Sequence, residues 1–71
     1  MTYSQASKLA KQASKTGRYT VLLSSYNHEL ARYQYEWAYW DYWYPRQNTP
    51  LYLFARDEGF YQDGQYTDSI I

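Results

Sequence analysis

Apolar and small residues recur at helical spacing near the start of the chain, at Ala6, Leu9, Ala10 and Ala13. Lys8, Lys11 and Lys15 fall largely off that face. Thr2 and Gln5 have the spacing of a capping box, in which a hydroxyl and an amide each satisfy an orphan backbone N–H. Gly17 supplies the left-handed residue that ends a helix, and the lysines complement the negative end of its dipole. The pattern predicts a helix over 3–16. Its apolar face is thin and mostly alanine, which suits close approach to another helix.

Two periods compete in the middle of the chain. Arg32-Tyr33-Gln34-Tyr35-Glu36-Trp37 alternates polar and aromatic, which is a strand pattern built from strand-favouring residues. A longer pattern overlaps it. Tyr19, Leu23, Tyr26, Leu30, Tyr33, Trp37, Trp40 and Tyr44 are spaced 4, 3, 4, 3, 4, 3, 4, an a/d-type repeat. No Gly or Pro interrupts the chain between Gly17 and Pro45. Glu29, Arg32 and Glu36 also stand at helical pairing distances. On this evidence a helix is expected over about 19–43. The run YTVLLSS at 19–25 also fits a short strand, with Asn27 then capping a helix that starts later.

Pro45 stops the helix, and PRQNTP reads as a polar loop. Leu51 to Ala55 reads as a strand, Asp57-Glu58-Gly59 as a short loop and Phe60-Tyr61-Gln62 as the return strand. Asp63-Gly64 is a further turn signal, and Ile70 and Ile71 are expected to order part of the tail. The expected fold is therefore α+β, mainly α, in one domain spanning 1–71. An antiparallel helical hairpin (about 3–16 and 19–43) carries a small C-terminal β-hairpin (about 51–62). Leu9, Leu23, Leu30, Tyr33, Trp37 and Trp40 are its expected core.

Charge adds arrangement rather than sum. Seven Lys/Arg balance seven Asp/Glu. Residues 1–18 hold Lys8, Lys11, Lys15 and Arg18 with no acid, and residues 57–71 hold Asp57, Glu58, Asp63 and Asp68 with no base. Such ends serve as solvated faces or as patches that orient a partner. The absence of cysteine excludes disulfides, thiolate metal sites and a Cys nucleophile. No apolar run reaches the roughly 18 residues of a membrane span, and the first residues lack a signal-peptide core. A cytoplasmic protein is expected.

Candidate chemistry is sparse. His28 is the sole histidine, and on a helix it would point about 100° away from its neighbour Glu29. Asp57, Gly59, Asp63 and Gly64 lack the alternating ligands of a calcium loop and read as turn chemistry. Ser24, Ser25 and Ser69 have no nucleophile-elbow context. No catalytic residue, cofactor or metal ligand is assigned, and an enzyme is not expected.

The aromatic content is what stands out: three Trp, eleven Tyr and two Phe in 71 residues, with eight rings between 33 and 44. One helix cannot bury them all. The surplus off the a/d stripe, Tyr35, Tyr39, Tyr42 and Trp43, has the composition of an interface hot spot, with Arg32 and Arg46 at its rim. Two functions follow. The first is a protein-binding module. The second is a nucleic-acid binder with Lys8, Lys11, Lys15 and Arg18 on phosphates and bases stacked on rings, which the neutral net charge disfavours. A second copy sharing the a/d face would give a homodimer.

A short, cysteine-free chain without catalytic motifs but with a dense contact surface resembles the small accessory proteins of bacteriophages and mobile elements. Anti-CRISPR proteins and other host-takeover inhibitors are of this kind. The resemblance is one of overall style and carries over no residues. It implies a stoichiometric inhibitor or adaptor, acting in the host cytoplasm on a large host complex such as a CRISPR effector. The neutral charge separates this chain from the acidic nucleic-acid mimics of that class.

Overall fold

The computed structural model describes residues 1–68; the expected ordering by Ile70 and Ile71 lies outside them, as does Ser69. The first helix forms as its caps dictate. Helix α1 spans Tyr3–Ala13, with the Thr2–Gln5 capping box closed in both directions. A 3-10 turn, Ser14–Thr16, continues it, and Gly17 ends it at φ 93°.

The helical hairpin is not present. Residues 19–43 form two strands, β1 (Thr20–Asn27) and β2 (Arg32–Tyr39), followed by a one-turn helix α2 (Trp40–Trp43). The alternation at 32–37, and not the a/d repeat, reports the structure. Aromatic and β-branched residues fit a pleated surface better than a helix, and β1 can pair on both of its edges. The turn lies where no Gly or Pro marks it. Ala31 takes the left-handed conformation at φ 51°, and the Asn27 side chain accepts a hydrogen bond from the Leu30 N–H at 3.1 Å. Asn27 thus caps a hairpin turn rather than a helix.

The C-terminal hairpin is displaced as well. Residues 51–54 are turns rather than a strand, and strand β3 spans Arg56–Gln62. Asp57-Glu58-Gly59 lies within β3, where Glu58 is the extra residue of a bulge: Leu22 pairs with Gly59 and Leu23 with Asp57. The return strand is β4 (Gln65–Thr67). Between them, Asp63 (φ 54°) and Gly64 (φ 76°) make the two-residue turn, both left-handed as a type I′ turn requires. One antiparallel sheet results, in the order β2-β1-β3-β4.

Each face of the sheet has its own cover. On one, Ala6 and Ala10 of α1 pack on Leu22 and Tyr61, with Tyr35 and Trp37 alongside. The alanine face permits close approach to a sheet instead of to a helix. Thr20 Oγ1 ties the two layers together by donating to the Ala10 carbonyl at 2.8 Å. On the other face, Val21, Leu23, Ala38 and Phe60 are covered by Trp43 and Tyr52, with Trp40 and Ala55 partly buried beside them. Of the expected core, Leu23 is buried and Trp37 and Trp40 are partly so, whereas Leu9, Leu30 and Tyr33 are exposed. No helix among the described residues is long and apolar enough to cross a membrane.

Candidate functional site: a tyrosine face on the sheet

Strand pairing decides where the rings go. Tyr26 stands opposite Tyr33, Ser24 opposite Tyr35, Leu22 opposite Trp37 and Thr20 opposite Tyr39. Directly paired residues share a face, so all four β2 rings lie on the α1 side of the sheet. Helix α1 covers the middle of that face and leaves its far end open. Tyr26 and Tyr33 there are 44% and 56% exposed, Tyr3 beside Tyr35 is 51% exposed, and Tyr66, across the sheet on β4 in the row of Tyr61 and Thr20, is 55% exposed.

These rings hold one another in place. Tyr26 meets Tyr33 edge-on at 5.2 Å and His28 at 4.9 Å. Tyr3 meets Tyr35 edge-on at 5.3 Å, and Tyr66 meets Tyr61 at 5.6 Å. The Tyr61 hydroxyl hydrogen-bonds that of Ser7 on α1. Between the two groups, Ser24 Oγ donates to the Glu58 carboxylate at 2.8 Å. The Tyr3 phenol is held above its ordinary pKa, first by desolvation and then by Tyr61, Tyr66, Glu58 and Tyr35. The Tyr3 hydroxyl therefore stays protonated at neutral pH. The N-terminus borders the patch. Met1 accepts a hydrogen bond from the outward N–H of Tyr35 at 3.0 Å, which blunts the β2 edge at that point.

The residues expected to form one contact surface separate into groups. Tyr35 belongs to the patch. Tyr39 lies further along the same face beneath Arg18, whose guanidinium is 3.6 Å from the ring centroid and 2.8 Å from Asp41. That hydrogen bond from Arg18 holds the Asp41 carboxyl below its ordinary pKa. Tyr42 lies on the opposite side of the molecule, within α2, with the Arg46 guanidinium 4.0 Å above it and Tyr52 edge-on. Trp43 is not a surface residue. It is 5% exposed and part of the core, because the α2 turn folds it back onto Val21 and Phe60. Arg32 is exposed at the start of β2. The a/d face on which a homodimer was to pair is not formed, since its residues are spread over β1, the β1–β2 turn, β2, α2 and the 3-10 turn Tyr44–Arg46.

Lys8 and Lys11 are exposed on the outer side of α1, and Lys15 is exposed in the 3-10 turn that follows it. Arg18 is engaged by Asp41 and Tyr39 and stands apart from them. Tyr3, Tyr26, Tyr33 and Tyr66 escape the sequence reading. For Tyr33 the clue was present: the period-2 alternation places it beside Tyr35. No His/Asp/Glu group among the described residues is arranged to hold a metal ion.

No family model matches the chain, and neither the curated proteins nor the solved structures contain a match to it.

Proposed function

We propose that this chain is a non-enzymatic protein-binding module that docks through the tyrosine patch of Tyr3, Tyr26, Tyr33 and Tyr35. The observation that carries the reading is the pairing of Tyr26 with Tyr33 and of Tyr3 with Tyr35: half-exposed rings fixed by one another and by a sheet. Tyrosine gives large contact area with few rotatable bonds, and rings already held in place lose little entropy on binding. By the resemblance above, the module acts as a stoichiometric inhibitor or adaptor on a larger assembly in the host cytoplasm, a CRISPR effector being one such target.

Nucleic acid is the second reading, and one observation favours it. The lysines of α1 and the exposed rings lie on the same side of the sheet, the combination that single-strand binders use. Net neutrality weighs against it.

The test is affinity capture from the native host, with and without nuclease. The parent chain is compared with a Tyr26→Ala/Tyr33→Ala variant whose fold is checked by circular dichroism. Protein capture that survives nuclease and is lost in the variant supports the module. Loss of all captured material on nuclease treatment supports nucleic acid. Neutralising Lys8, Lys11 and Lys15 should slow association and flatten its salt dependence while leaving dissociation nearly unchanged.

A further inference from the structure

The two edges of the sheet are finished differently. Strand β4 is three residues long, whereas β2 presents eight, Arg32–Tyr39, in an unshifted register with β1. An open edge of that length is normally blunted by proline, a bulge or charge. RYQYEWAY has no proline and no bulge, and its two charges, Arg32 and Glu36, are opposite in sign. The Tyr35 N–H points outward, to Met1. Strand alternation therefore turns the backbone of Tyr33 and Trp37 outward too, while Gln34, Glu36 and Ala38 bond to β1. Among the described residues, Met1 is the one backbone group hydrogen-bonded to that edge.

The side chains add a separate observation. Arg32, Gln34 and Glu36 stand two residues apart on the face away from α1, with Gln34 at the midpoint. Both charged residues are exposed, and neither has a salt bridge among the described residues. Turned about a two-fold axis through Gln34, the strand meets itself with Arg32 opposite Glu36 at both ends. These are the close, non-hydrogen-bonded positions of an antiparallel pair, where opposite charges attract and like charges repel. An axis through Glu36 would set that carboxylate against its own copy. An axis through Tyr35 would leave both charges unmatched.

We propose that β2 is the interface of a homodimer, paired antiparallel with β2 of a second copy about Gln34 to make one continuous sheet. Tyr33 of each copy exchanges both N–H···O bonds with Tyr35 of the other, so Tyr35 trades its bond to Met1 for one between strands. Met1 is half exposed, and an exposed hydrogen bond is worth little. A second copy fits this edge better than a foreign strand because the charge pattern complements its own reverse. Edge pairing leaves both faces of the sheet open, so the dimer does not rest on the docking reading. It sets the two tyrosine patches side by side.

The experiment is sedimentation equilibrium of the purified chain over a wide concentration range, beside Arg32→Glu, Glu36→Arg and the double variant. The proposal expects a reversible dimer from the parent chain. Each single reversal sets like charges opposite one another at both ends and should weaken the dimer roughly tenfold or more. An equimolar mixture of the two single variants restores both attractions and should associate as the parent does, as should the double variant alone. Both positions are exposed, and circular dichroism checks each fold. Gln34→Cys gives a reading independent of charge, since the chain has no other cysteine. It should form an intermolecular disulfide on mild oxidation far faster than Lys11→Cys. A monomer throughout would overturn the proposal and leave the edge to a foreign strand. A dimer that neither reversal weakens, or that the mixture fails to restore, would overturn it as well, as would equal disulfide formation at positions 34 and 11. No host material is present, so this outcome and capture through the tyrosine patch succeed or fail separately.

Discussion

The ring of Tyr66 lies over Gly59 on the neighbouring strand, so close that a Cβ at position 59 would collide with its Cε2, Cζ and hydroxyl. The glycine leaves a gap on the sheet face beside the Glu58 bulge, and the tyrosine fills it from across the pair. Gly59→Ala should push Tyr66 off the sheet and break its edge contact with Tyr61. That costs about 1 kcal/mol. Once Tyr66→Ala is present, the same change should cost almost nothing. A double-mutant cycle by denaturant unfolding checks the coupling.

Ser14 joins the end of α1 to the β3–β4 turn. Its hydroxyl donates to the Lys11 carbonyl at 2.7 Å and accepts from the Gly64 N–H at 3.0 Å. Its carbonyl accepts from the Gly17 and Asp63 N–H groups. Ser14→Ala leaves the buried Gly64 N–H without its acceptor and should cost about 1–3 kcal/mol. Urea denaturation measures the loss, and faster amide exchange at Gly64 locates it.

Ala31 stands at φ 51° in the β1–β2 turn, a conformation in which a Cβ is strained. Ala31→Gly removes that strain while adding freedom to the unfolded chain. The strain is the larger of the two, so stability should rise by up to about 1 kcal/mol. Thermal unfolding compares the two chains. Were position 31 inside a helix, the same change would destabilise.

Tyr52 is buried, and its phenol is held above its ordinary value, first by desolvation and then by Glu36 and Tyr42, with Arg46 opposing. In the unfolded chain the phenol titrates near its ordinary value of about 10. Its contribution to stability is thus intact below that pH and is lost as pH rises from there through the folded value. Tyr52→Phe should reduce the alkaline loss of stability, read from denaturation midpoints across that range. Tyr3, raised in the same direction but half exposed, should contribute less.

What the sequence reveals and hides follows from how local each signal is. Thr2 with Gln5, Gly17, and Asp63 with Gly64 act within four residues, and each does in the structure what its chemistry implies. The β1–β2 turn hides because Ala31 occupies a position that glycine usually marks. The a/d repeat misleads because rings crowd so densely between 33 and 44 that a 3,4 spacing can be drawn through an alternating strand. Tyr33 and Trp37 belong to both patterns. The site was half legible for the same reason: alternation places Tyr35 and Tyr39 on one face, whereas Tyr3, Tyr26 and Tyr66 join it only through pairing and helix docking. Trp43 could not be placed from spacing, since its burial depends on the sheet face it closes over.

The central claim is that the face bearing Tyr26 and Tyr33 meets a protein. Photo-crosslinking from single positions tests it most directly, with a benzophenone side chain placed at Tyr33 or, for comparison, at Lys11 on the outer side of α1. In cells where the chain is native, the account predicts a discrete protein adduct from position 33 that survives nuclease and is far weaker from position 11. Adducts from position 11 alone, or adducts from position 33 that consist of nucleic acid, would contradict it.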